Sequence, residues 1–208
     1  DIPLDVTRYL AEGGGMGTQA YRRESVTAAV REALSAVRAL RPNLPVGLSV
    51  PAVWDTSDHM QGGLPSDGGL PHSLCGAYAD TLGWLNDGLF QYAVIQDDRL
   101  CEPADGDLSF AEVADWWKSS VADEAVSLAL CHSLTDGRAP DELRRQAILG
   151  DEGGYHGSVF TSLSQLAQDK DGETTALVRY LRGETSGVAD AELTLSSPSK
   201  TTFTTYES

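Results

Sequence analysis

Lysine is almost missing from this chain: 208 residues carry only Lys118, Lys170 and Lys200. All the Lys and Arg together number 15 against 31 Asp and Glu, a formal net charge of −16. A surface of that sign repels phosphate backbones, so we expect no nucleic-acid partner, and it disfavours anionic membranes for the same reason. Long apolar runs are also missing. None approaches the ~20 residues a spanning helix needs, so we expect no membrane span. The first residues lack the basic-then-apolar order of an export signal. An acidic, lysine-poor surface suits a saline or extracellular setting, but GC-rich coding produces the same composition. Charge therefore narrows partners and not function.

Cysteine is scarce too. Cys75, Cys101 and Cys131 are too few for a disulfide scaffold, and their spacing matches no zinc pattern. We expect small buried or half-buried thiols, with one disulfide and a leftover thiol as the alternative. Cys131 precedes His132, yet sequence alone gives no reason for a lowered thiol pKa there. His59, His72 and His156 lie scattered along the chain, so we expect no metal site and no cofactor.

What is present is the alternation of an α/β domain. Hydrophobic residues make up 41% and charged residues 22%, enough to bury one substantial core. Residues 1–5, Asp-Ile-Pro-Leu-Asp, read as a short strand ending on a carboxylate, and glycine-rich 12–18 as a loop. Apolar residues at Val26, Val30, Leu34, Val37 and Leu40 mark an amphipathic helix over 21–40. A second strand follows at 45–50, then a long polar loop over 55–71, a length usually functional or mobile. A short helix over 78–85 stops at Asn86-Asp87-Gly88, and residues 89–95 form a third strand that delivers Gln96, Asp97 and Asp98 to its end. Ser109-Phe110-Ala111-Glu112 is a capping box opening a helix that carries Trp116 and Trp117. A fourth strand at 125–130, a helix over 141–149 after Pro140, a fifth strand at 157–161 and a helix over 173–181 complete the series. Five parallel strands fit an open sheet or five-eighths of a barrel. We take residues 1–184 as the domain and 185–208 as a tail or hairpin.

The order of these motifs resembles the bacterial glycosyl-hydrolase-like family ten, TIM-barrel proteins that include division-site peptidoglycan hydrolases. Tyr21-Arg22-Arg23 with Val26 is similar to that family's aromatic-Arg-Arg helix start. Arg41-Pro42 and Val46-Gly47-Leu48-Ser49 resemble its Lys-Pro turn and Gly-Ile-Ser strand. Ala79-Asp80, Trp84, Gly88, Tyr92 and Gln96 resemble its sixth-strand signature, and Trp116-Trp117 the helix after it. Leu143, Gln146 and residues 157–162 resemble its last helix-strand unit. The matches run in order from Ile2 to about Leu181. Pro3, Ile95 and Cys131-His132-Ser133 depart from the family pattern. Residues 4–9 also resemble the nucleophile strand of the α-amylase family, but residues 50–54 supply no proton-donating carboxylate.

The resemblance implies the C-terminal portion of a (β/α)8 barrel, strands four to eight. The first three strands would lie in an N-terminal segment or a second chain. It further implies an extracellular or cell-envelope glycoside hydrolase acting on a bacterial polysaccharide such as peptidoglycan glycan strands. Glycosidic cleavage generally uses two carboxyl groups, and on a barrel they project from strand carboxyl ends. Asp5 is then the principal acid/base or nucleophile, or it caps its loop and pairs with Arg8. Asp97 is a base or water positioner, or part of a solvated Asp-Asp-Arg turn. Arg8 and Tyr9 flank the pocket, and Gln96 hydrogen-bonds a sugar hydroxyl. Arg22 and Arg23 bind substrate or pair with carboxylates. Trp54 stacks on a sugar ring or covers the barrel mouth, and His132 reaches the same rim or is structural. The departures motivate an alternative, a degenerate barrel that binds glycan without cutting it.

Overall fold

A computed structural model describes residues 4–66, 70–103, 107–133 and 141–184, residues 4 and 5 by their backbone alone. Helices α1 (Leu4–Glu12) and α2 (Thr18–Leu40) lead into four units: β1 (Gly47–Pro51), α3 (Thr81–Asn86), β2 (Tyr92–Asp97), α4 (Phe110–Ser120), β3 (Ser127–Ser133), α5 (Glu142–Glu152), β4 (Gly157–Thr161), then α6 (Leu163–Gln168) and α7 (Glu173–Leu181). The expected tail, 185–208, lies outside the described residues.

The strands form one parallel sheet in chain order, β1-β2-β3-β4. Each crossover moves one strand in the same direction. Right-handed crossovers of that kind put α3, α4 and α5 on one face. Burial agrees. Leu48, Ala93 and Leu128 share one row, and Val50, Ile95 and Leu130 the next. Of these, Val50, Ala93, Ile95, Leu128 and Leu130 are buried in one core with Leu34 of α2, Trp84 and Leu85 of α3, and Phe110, Val113 and Trp117 of α4. Fully burying a side chain such as Val113 or Phe110 contributes about 1.5–3 kcal/mol. Leu143 and Ala147 of α5 pack with Leu177 of α7 and with Phe160 of β4.

The opposite face is largely wet, with Cys131 its one buried side chain among the described residues. Ser49, Tyr92, Gln96, Val159 and Thr161 are exposed there, and Val94, Ala129 and Ser133 half-buried. The pleat sends successive side chains to opposite faces, so the sheet has a packed side and an open side.

Most elements stop and start where their local chemistry dictates. The Ser109–Glu112 capping box is formed. Asp80 caps α3 by accepting from Gly83 N at 3.0 Å, and the exit turn uses Gly88 at φ +67, an angle that favours glycine. Of the two adjacent tryptophans, Trp117 is fully buried and donates to Ala52 O at 2.8 Å.

The first expected strand is corrected. Leu4 and Asp5 open helix α1, so four strands, not five, are found among the described residues. Five residues are too few to separate the two periodicities, and the decisive contacts come later in the chain. Tyr9 packs edge-on against Tyr21 of α2, 5.4 Å between centroids, and Tyr21 Oη donates to Glu12. No described helix is long and apolar enough to cross a membrane.

Candidate functional site

The carboxyl ends of the strands carry three groups of polar side chains. The first is on the open side at β2. Gln96 is exposed and donates from Nε2 to Ser49 Oγ at 2.8 Å. Pro51, Gln96, Cys131 and Val159 are in register. Asp98, exposed just past the strand, lies close enough to Cys131 to help push its thiol pKa up, the larger cause being burial.

The second group lies on the helix side. Asp97, His132 and Phe160 form one row across the sheet. Asp97 is almost fully buried, and its Oδ1 accepts from the Arg99 backbone N–H at 3.1 Å and from Nη1 at 3.2 Å. Its Oδ2 has no partner among the described residues. Burial raises the Asp97 pKa, and the contacts from Arg99 only partly oppose it. His132 is fully buried between Phe110 and Phe160, with ring centroids 5.5 and 4.8 Å away. Its Nδ1 faces Gln146 Oε1 at 3.2 Å and its Nε2 Ser158 Oγ at 2.9 Å. Gln146 in turn donates to Glu142 Oε1 at 2.9 Å and to Arg99 O at 3.0 Å. Buried polar groups of this kind rigidify a core when satisfied.

The third group follows β1, and sequence reading missed it. The backbone of 73–74 runs beside 53–54, with Ser73 N–H donating to Val53 O and Leu74 N–H to Trp54 O. That pairing sets His72 and Cys75 beside Asp55. A turn on Thr56 O, which accepts from His59 N–H and Met60 N–H, brings His59 to the same carboxylate. The chain then folds back, Leu64 N–H donating to Asp55 O at 2.8 Å. Gly63 is needed there, because a Cβ would lie 2.5 Å from the Thr56 backbone.

Asp55 is fully buried yet well partnered. Its Oδ1 accepts from Thr56 N–H at 2.8 Å and faces His72 Nδ1 at 3.0 Å and His59 Nδ1 at 3.4 Å. Its Oδ2 accepts from the Cys75 thiol at 2.7 Å. Burial alone would raise the Asp55 pKa; hydrogen bonds from Cys75, Thr56, His72 and His59 outweigh it and hold the group below the usual carboxylate range. Burial, and then the same contact, push the Cys75 thiol up to about 11. One oxygen and two imidazole nitrogens converge within 4.8 Å, a donor set that suits a transition metal.

The sequence-derived site residues scatter over these groups. Asp5 sits in α1, not at a strand end. Arg8 pairs with Glu12 at 3.0 Å on the exposed face of the same helix, and Tyr9 donates to Met16 O at 2.7 Å. Arg22 donates to Tyr78 Oη at 2.8 Å and lies over its ring. Arg23 is near enough to Cys75 to lower its pKa slightly against the dominant upward causes. Gln96 is open as expected. Asp97 and Trp54 depart from expectation in their burial, and His132 takes its structural alternative. Asp97 forms a local pair with Arg99, but buried on the helix side and not at an open rim. Trp54 is buried, donating to Asp80 Oδ1 at 3.0 Å and stacked on Trp116, because β1 turns into the core after Pro51. His132 belongs to the buried network. The histidines are not all scattered either, since His59 and His72 meet 5.7 Å apart. No family model and no curated protein matches this chain.

Proposed function

We propose that this chain is part of a (β/α)8 glycoside hydrolase, its four described strands being barrel strands five to eight, and that it works on a bacterial polysaccharide at the carboxyl edge of its sheet. The observation that carries this is the unreversed strand order with one packed face and one wet face. A doubly wound sheet reverses direction and covers both faces, whereas a barrel segment keeps one face for the interior. Further strands would close over the open side. Gln96 and Ser49 offer an amide and a hydroxyl to sugar hydroxyls. Asp98, exposed at a strand end, is the carboxylate best placed to act as base or nucleophile, and the second carboxyl group that cleavage needs would come from the strands that complete the barrel.

The reading is tested by release of reducing ends from peptidoglycan glycan strands, comparing the full chain with Asp98→Asn and Gln96→Ala. Asp98→Asn should lower turnover at least about 100-fold, the lower range of general acid–base effects, while Gln96→Ala mainly raises KM. Equal turnover in Asp98→Asn would remove it from the chemistry. The second reading, a barrel that binds glycan without cutting it, is favoured by the burial of Asp97 against Arg99. Glycan retention with no reducing ends from wild type would select it, and neither binding nor cleavage would end both.

A further inference from the structure

The cluster after β1 takes no part in the glycan reading. Its three donors are a buried carboxylate oxygen and two imidazole nitrogens, with separations of 3.0 and 3.4 Å from Asp55 Oδ1 to the two Nδ1 atoms. Ligands about 2.0–2.1 Å from one tetrahedral zinc ion lie about 3.3 Å apart. Asp55 and its two histidines are therefore spaced as two bonds to a single ion require.

We propose that Asp55 Oδ1, His59 Nδ1 and His72 Nδ1 form a binding site for one zinc-like divalent transition ion. Two histidines and a carboxylate are a recurrent zinc set that leaves a fourth position for water. The carboxylate arrives held in place, by Thr56 N–H on Oδ1 and by the Cys75 thiol on Oδ2; such outer contacts orient metal ligands and sharpen affinity. Access is provided by His59, whose side chain is 58% exposed, while that of His72 is 11% and that of Asp55 0%. Binding requires both imidazoles neutral with their Nδ1 lone pairs on the ion. The protons that His72 Nδ1 and His59 Nδ1 donate to Asp55 then move to the Nε2 atoms of the same rings, changes of tautomer with no change of charge. One ionised carboxylate leaves the loaded site with a single positive charge. That charge lies within a strongly acidic molecule.

The test is titration of the metal-free full chain with Zn2+ against a chromophoric chelator, repeated with Co2+ to read visible absorption. Wild type should take up one ion per chain, show cobalt bands of a low-coordinate site and gain thermal stability with saturating Zn2+. His59→Ala, which removes the most exposed of the three ligands, should weaken uptake at least about 100-fold, as should His72→Ala. Cys75→Ser should keep one ion within about tenfold, since a serine hydroxyl still donates to Asp55. No uptake by wild type, or uptake that His59→Ala leaves unchanged, would overturn the proposal and leave a carboxylate–imidazole hydrogen-bond cluster. Abolition by Cys75→Ser would overturn the three-ligand assignment. None of these outcomes bears on glycan binding at Gln96.

Discussion

After β1, Asp55 meets His59 and His72; at the ends of β2 and β3, Asp97 lies in register with His132. Both clusters place a buried carboxylate near imidazole, yet they treat protons and water in opposite ways. Asp55 is held ionised by four donors, and one of its histidines stands in solvent. Asp97 has one oxygen without a partner and a pKa raised by burial. Its neighbouring His132 is closed in by two aromatic rings and saturated by Gln146 and Ser158. The difference is one of address. Asp55 sits where the chain leaves the sheet and loops outward, whereas Asp97 and His132 lie on the helix side, where His132 meets Gln146 of α5. A polar group facing helices is enlisted to fix packing; one at a loop exit stays available for a ligand.

Substitutions can break or sharpen this contrast. The largest effect is expected at His132→Ala, which strips two hydrogen bonds and a stacked ring from the closed cluster and should cost about 3–4 kcal/mol in urea unfolding. Asp55→Asn should cost less, about 1–3 kcal/mol, because the amide oxygen still accepts while its NH2 faces the donors. Asp97 makes a prediction about pH. Its native pKa lies above the unfolded value of about 3.9, so the native state binds the proton more tightly. The contribution of Asp97 is therefore favourable at low pH and is lost as pH rises through the native pKa. Measured against Asp97→Asn, wild type should gain relative stability as pH falls toward about 4. A pH-independent difference would contradict the assignment. The smallest effect is at Gln96→Ala, exposed on the open face, which should shift stability by less than about 0.5 kcal/mol while weakening glycan retention.

The regular elements were legible because their signals are local. The apolar run of β2 shows its two faces once Gln96 and Asp97 are placed, the Ser109 capping box opens α4, and Glu173–Leu181 is the helix its pattern announced. Leu4 and Asp5 misled because the helix they open is held by Tyr9 packing on Tyr21. The Asp55 cluster was missed. His72 stands 17 positions from Asp55 and reaches it only through backbone pairing of 73–74 with 53–54. One signal was present: a long polar segment holding two histidines directly after a strand carboxyl end. Trp54, read as stacking on a sugar or covering the barrel mouth, is buried for a similar reason, since the chain after Pro51 runs into the core.

The contrast between the clusters is tested most directly by two histidine variants carried through the same pair of assays, urea unfolding without metal and Zn2+ uptake. His132→Ala should lose about 3–4 kcal/mol of stability and keep one ion per chain under native conditions, while His59→Ala should keep its stability within about 0.5 kcal/mol and lose the ion. Parallel losses in both variants, or an ion retained by His59→Ala, would contradict the division of the sheet's carboxyl edge into a closed structural cluster and an open binding one.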